Sequence, residues 1–163
     1  MKAVVIDTNV LAVANECAKQ AGPDCVLACV DALETARAAR IVVVDSKGMI
    51  FAEYFHHANR SGQPGVGDAF ARWLHDHQAF PAHCEQVEIT PSGQGDDEFA
   101  EFPKDEALRR FHRKDRKFVA VALASAHKPF VLNATDLGWW SHRGPLERNG
   151  VRVEFLCPDL MIQ

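Results

Sequence analysis

Two short runs of mostly β-branched residues, Ala3-Val4-Val5-Ile6 and Ile41-Val42-Val43-Val44, constrain this chain more than any other feature. Each is apolar without alternation, and each ends abruptly at an acid, Asp7 or Asp45. A strand with one wet face alternates apolar and polar residues, so an unbroken run marks a strand covered on both faces, as in a parallel sheet between helices. Helical patterning follows both runs. Residues 10–21 and 26–39 repeat apolar side chains at helical spacing on either side of Gly22-Pro23. Residues 47–57 form another helical stretch, for which Asp45-Ser46 offers capping oxygens.

The alternation continues along the chain. Residues 59–67 read as a loop, 68–77 as a helix with Phe70, Trp73 and Leu74 on one side, and Val87-Glu88-Ile89-Thr90 as a short strand before the polar connection 91–98. Helical pieces at 104–111 and 114–126 precede strands at Phe130-Val131-Leu132 and Val151-Arg152-Val153-Glu154-Phe155. Strands separated by helices predict an α/β fold, a three-layer α/β/α sandwich around a parallel sheet.

Length and composition bound what such a sheet belongs to. At 163 residues, a single domain over 1–163 is expected. Apolar residues at 47% and charged residues at 25% exclude wholesale disorder. No apolar run approaches the roughly 20 residues that cross a bilayer, and the opening MKAVVIDTNV does not suit a secretory signal. The expectation is a cytoplasmic protein with no membrane partner. Its five cysteines, Cys17, Cys25, Cys29, Cys84 and Cys157, form no Cys-x-x-Cys pair and read as reduced thiols, mostly core, with Cys25 and Cys29 sharing a helix face.

In open parallel sheets ligands bind beyond the carboxyl ends of the strands. Asp7 follows the first strand in Ile6-Asp7-Thr8-Asn9, and Asp136 follows another in Leu132-Asn133-Ala134-Thr135-Asp136. Two more acids lie in helical stretches, Glu53 within Met49-Ile50-Phe51-Ala52-Glu53-Tyr54-Phe55 and Asp115 ahead of Phe118. Each has an ordinary structural explanation: Asp7 and Asp136 as helix caps, Asp115 as an acid in a first helical turn, Glu53 as a partly exposed helix residue. Their convergence is what points further. Four carboxylates at one sheet edge repel one another unless protons or a cation neutralise them, and oxygen-only donors suit Mg²⁺ or Mn²⁺.

These residues resemble the PIN domain family, a metal-dependent nuclease fold that includes the toxins of many bacterial toxin-antitoxin pairs. Val5-Ile6-Asp7-Thr8-Asn9-Val10-Leu11 resembles its first motif and Ile50-Phe51-Ala52-Glu53-Tyr54 the helix carrying its second acid. Asp115-Arg116-Lys117-Phe118-Val119-Ala120-Val121-Ala122 is similar to the third and Thr135-Asp136 to the fourth, so the likeness runs the length of the chain. It implies a sheet of four to five parallel strands with helices on both faces, and an endoribonuclease whose catalytic and metal-binding residues are Asp7, Glu53, Asp115 and Asp136. Asp7, Asp115 and Asp136 would hold Mg²⁺ or Mn²⁺, with Glu53 ligating directly or through water, Thr8 and Asn9 behind them, and Thr135 holding the loop that presents Asp136. Members with a similar fourth motif often carry a further acid two residues on, where this chain has Gly138, so one metal position is expected before a second. The family also makes an antitoxin protein and a homodimer the partners to expect beside the RNA substrate.

A net charge of −4 leaves a polyanion to be held locally. Between Lys104 and Lys117 seven basic residues face three acids, a local balance of +4. Arg109, Arg110, Arg113, Lys114, Arg116 and Lys117 therefore read as an RNA track ending at Asp115, against the plainer reading of a solvated face. Other features carry less chemistry. His75-x-His77 reads as surface histidine, Gly62 to Gly67 lacks the Gly-Lys-Ser/Thr of a phosphate loop, and Trp139-Trp140 reads as packing. Two other functions compete: an inactive PIN-like module that only binds RNA or a partner, and a phosphatase using Asp7 as nucleophile. The latter wants Asp-x-Asp, whereas Asn9 fills the second place.

Overall fold

The computed structural model describes residues 2–57, 63–93, 95 and 97–162. Both β-branched runs are buried strands, β1 (Ala3–Ile6) and β2 (Ile41–Asp45). With β3 (Cys84–Val87), β4 (Phe130–Asn133) and β5 (Val153–Phe155) they make one sheet in the order β3-β2-β1-β4-β5, every pairing parallel. Seven helices among the described residues connect them: α1 (Thr8–Ala14), α2 (Pro23–Ala39), α3 (Met49–His56), α4 (Val66–Asp76), α5 (Arg116–Ala124), α6 (Leu137–Ser141) and α7 (Arg143–Arg148). With this strand order, the right-handed crossovers general to parallel sheets put the helices before β3 on one face and those after it on the other, the expected three-layer α/β/α sandwich. No helix among the described residues is long and apolar enough to cross a membrane.

The strand order reverses direction between β1 and β4, because the chain winds outward from β1 through β2 to β3 and then returns to lay β4 on the other side. At such a switch point the two connections diverge and leave a crevice at the carboxyl edge. Register sharpens the point: Ile6 pairs with Leu132, so Asp7 and Asn133 are the next residues out on neighbouring strands.

Several boundaries differ from the patterning. The first helix stops at Ala14 rather than near residue 21, because the Asn15 side chain turns to the start of α4, bonding Asp68 through Nδ2 (2.9 Å) and accepting from the Asp68 N–H (3.1 Å). Close packing at that junction demands glycine, since a Cβ on Gly67 would lie 2.3 Å from the Leu11 carbonyl oxygen. The third strand is Cys84–Val87 rather than 87–90, an edge strand whose polar Glu85 and Gln86 hide it from a search for apolar runs. Of the loop expected at 59–67, residues 58–62 lie outside the described residues.

Residues 104–111 hold only a 3-10 turn, Glu106–Leu108, although Leu108 and Phe111 are buried as a helix would have them. The Arg116 guanidinium bonds the Arg109 and Phe111 carbonyls (2.9 and 3.1 Å), acceptors that the end of a helix over 104–111 would also leave unpaired. A second 3-10 turn, Arg113–Asp115, leads into α5 two residues later than expected. Trp139 is fully buried edge-to-face on Phe111, and Trp140 packs against Phe155 and under the Arg143 guanidinium, so both tryptophans are packing residues.

One cysteine expectation is corrected. Cys25 and Cys157 form a disulfide rather than two free thiols, while Cys17, Cys29 and Cys84 are free, the last two buried. The segment after β5 crosses the start of α2 and brings the two Cα atoms to 5.3 Å, within bridging range. A separation of 132 residues hides such a pair from any reading of local spacing.

Candidate metal centre

Asp7 leaves β1 as the N-cap of α1, buried, its Oδ1 accepting from the Thr8 N–H at 2.9 Å. Asp136 caps α6 in the same way, with Oδ1 accepting from the Gly138 N–H at 2.8 Å. Capping and site roles are therefore combined in one carboxylate, because a cap uses one of its roughly four acceptor positions and leaves others open. Asp115 sits at the N-cap position of α5 but makes no capping hydrogen bond with its side chain. One carboxylate oxygen from each of Asp7, Asp115 and Asp136 lies within 4.8 Å of the other two. They line an open cleft of about 460 Å³ together with Thr8, Asn9, Glu53, His112 and Lys114.

Glu53 reaches the same cleft from α3 but is differently engaged. Its Oε1 accepts from Lys117 Nζ at 2.6 Å and its Oε2 from the Thr8 hydroxyl. The fourth acid thus has a lysine as a direct partner, whereas of the three aspartates only Asp115 lies near a basic side chain among the described residues, His112 at 3.9 Å. Lys117 is buried, with a further bond to the Lys114 carbonyl at 2.5 Å, which removes it from the expected RNA track. Arg116 leaves that track too, since its guanidinium is spent on backbone carbonyls and lies over the Phe102 ring. Arg109 pairs with Glu106 at 3.0 Å and Arg113 lies 3.7 Å from Glu98, while Arg110 and Lys114 are exposed.

Sequence reasoning missed Asn133, the fully buried last residue of β4. Its Nδ2 donates to Asp7 Oδ2 at 2.8 Å, and its Oδ1 accepts from the Asp136 N–H at 3.0 Å. One amide therefore fixes both carboxylate segments across the switch point. Asn9 adds a brace, accepting from the Ala134 N–H at 3.1 Å and donating to Asn133 Oδ1 at 3.4 Å. Thr135 is half-buried within the turn these amides hold. In the sequence Asn133 is only a polar residue closing an apolar strand, and the register of β1 on β4 is what sets it level with Asp7. Tyr54, from the same helix as Glu53, pins the end of β1 by donating to the Ile6 carbonyl at 2.5 Å.

The electrostatics follow from this crowding. Burial, reinforced by Asp115, Asp136 and Glu53, holds the Asp7 carboxyl well above its usual range, and the Thr8 N–H only partly opposes this. Burial and Asp136 push Asp115 up to about 6, with His112, 3.9 Å away, pulling the other way. The same surroundings raise Tyr54, burial first and then Asp7 and Glu53. Charges held this close at an interior edge await either protons or a cation.

Compared with protein-family models, curated proteins and solved structures, the chain matches none. The donor set has therefore to be judged by its chemistry. Three hard oxygen donors on separate elements, held by backbone N–H groups and a buried amide, open on one side, suit a small divalent cation that keeps several waters. His75 and His77 offer no rival centre: His75 packs on Phe51 and Phe55, while His77 bonds the Trp73 carbonyl and stacks on its ring.

Proposed function

We propose that this chain is a Mg²⁺- or Mn²⁺-dependent endoribonuclease of PIN type. The observation that carries the reading is the meeting of Asp7, Asp115 and Asp136 at the β1/β4 switch point, where among the described residues no lysine or arginine forms an ion pair with them, while Lys117 is hydrogen-bonded to Glu53. These three aspartates would hold the ion, which when bound supplies Lewis acidity and neutralises charge on a phosphodiester. The chain's own residues do the rest. Asn133 and the Thr8 and Gly138 N–H groups orient the carboxylates. Thr8 and Lys117 hold Glu53 at the cleft, where it can order water. Lys114 and His112 line the mouth and offer charge and hydrogen bonds to a backbone phosphate.

Resemblance supplies the finer parts of the proposal: action in the cytoplasm, RNA as the substrate, and an antitoxin or a second copy of this chain as partners. A module that only binds RNA is less well served by an acidic cluster beside the track, since carboxylates repel a polyanion. The test is cleavage of a mixed labelled RNA pool by wild type and Asp7→Asn with Mg²⁺, with Mn²⁺ and with chelator. Cleavage is expected only in wild type with a divalent ion. Undiminished cutting by a well-folded Asp7→Asn protein, or none by wild type in either metal, would overturn the assignment.

A further inference from the structure

A second cluster of ligating side chains lies away from the acidic cleft. Cys25 and Cys29 are one turn apart on α2, and Cys157 follows β5. One Sγ from each lies within 4.8 Å of the other two, and all three residues are buried, Cys29 completely. The disulfide between Cys25 and Cys157 accounts for two of the sulfurs. Cys29 is left as a third, held against the pair with no carboxylate or imidazole in the group.

A buried cysteine alone is ordinary core filling. Core filling does not by itself require a sulfur here, where the Cys29 Sγ lies against two others on converging segments. Nor is Cys29 suited to exchange into the disulfide: burial pushes its thiol up to about 12, so little thiolate is present to attack. What three converging sulfurs in an apolar setting can do is coordinate a soft ion. Zinc completes its shell with a fourth donor, whereas monovalent copper is satisfied by three thiolates.

We propose that, once the Cys25–Cys157 bond is reduced, Cys25, Cys29 and Cys157 form a three-thiolate site for a soft monovalent ion of the Cu⁺ type, joining the C-terminal segment to α2. Reduction takes two electrons and two protons from a dithiol, which becomes a disulfide as the protein gains two thiols. Ion binding then releases one proton from each coordinating thiol. The site is independent of the nuclease reading, since it shares no residue with the acidic cleft.

The experiment uses full-length protein carrying Cys17→Ser, which removes the exposed free thiol. After anaerobic reduction it is titrated with Cu⁺ against bicinchoninate, and the bound copper is characterised by X-ray absorption. One ion per chain is expected to be withdrawn from the chelator into an all-sulfur shell of three, and Cys29→Ser is expected to lose that binding. Failure to withdraw copper, a shell of two sulfurs, or Cys29→Ser binding as tightly as its parent would overturn the proposal. Should Cys29→Ser not fold, the sulfur count in the unsubstituted site decides by itself.

Discussion

Lys117 Nζ lies 2.6 Å from Glu53 Oε1, and the two side chains are only 11% and 17% exposed. An ion pair this well covered is costly to break from one side, because the surviving charge stays buried without its partner. Lys117→Met keeps the length of the side chain and removes the charge. It is expected to lower unfolding free energy by about 3 kcal/mol in urea denaturation. Adding Glu53→Gln should return much of the loss, since the amide still accepts from Thr8 and leaves no charge behind. Equal losses in the single and double variants would mean that Lys117 acts by packing alone.

The acidic centre makes a prediction about pH in chelated protein. Asp115 sits at about 6 against an ordinary 3.8, and Asp7 is raised as well, so the folded state holds protons that the unfolded chain has released. Stability from these groups is complete below about pH 4 and is lost as pH rises through about 6. Asp105 works in the opposite sense at lower pH: held at about 2 by Arg148 and Asn149, it contributes above its ordinary value of 3.8 and loses that contribution as pH falls. Thermal melts with chelator should therefore decline between pH 4 and 6.5, a window in which Asp105 is already ionised. Mn²⁺ should offset the decline by replacing the protons, and Asp115→Asn should flatten it without metal. A melting temperature that rises over this window in chelator would contradict the electrostatic account.

How far the site could be read in advance depended on whether the signal was local. Asp7 and Asp136 are legible because each ends an apolar strand, and parallel topology sends both ends to one edge. Asn133 became visible only with the register of β1 on β4, which places it level with Asp7. Lys117 reads as one charge in a basic run, and its inward turn depends on α5 starting at Arg116 and burying the stretch that follows. The Cys25–Cys157 pairing depends on where a C-terminal segment crosses α2. No periodicity encodes that crossing.

Asn133 is expected to matter out of proportion to its distance from any substrate. It is fully buried and bonded to Asp7 on one side and to the Asp136 N–H on the other, so Asn133→Ala leaves both groups without that partner. Lost burial satisfaction should cost about 1–3 kcal/mol of stability. Loosening two of the three carboxylates should weaken Mn²⁺ binding by about 10–100-fold in calorimetry. Asn133→Asp should do worse for metal-free stability, because it adds a charge against Asp7 at 2.8 Å. Unchanged Mn²⁺ affinity in a folded Asn133→Ala protein would show that the carboxylates are placed by their helix caps alone.

The basic segment divides into residues free to meet a polyanion and residues already committed. Arg110 and Lys114 are exposed, and Lys114 lines the acidic cleft. Each phosphate neutralised on a single strand contributes about 0.7 to the slope of log affinity against log salt. Arg110→Ala and Lys114→Ala should each weaken RNA binding and reduce that slope by about this amount while leaving the melting temperature nearly unchanged. Arg116→Ala should do the reverse. Its guanidinium holds the Arg109 and Phe111 carbonyls and covers Phe102, so its loss should show in stability first. Filter binding of a labelled single-stranded RNA at several salt concentrations, with melts of the same samples, separates the two kinds of basic residue. A salt slope unaffected by removing both Arg110 and Lys114 would mean that RNA approaches the aspartates from another side of the cleft.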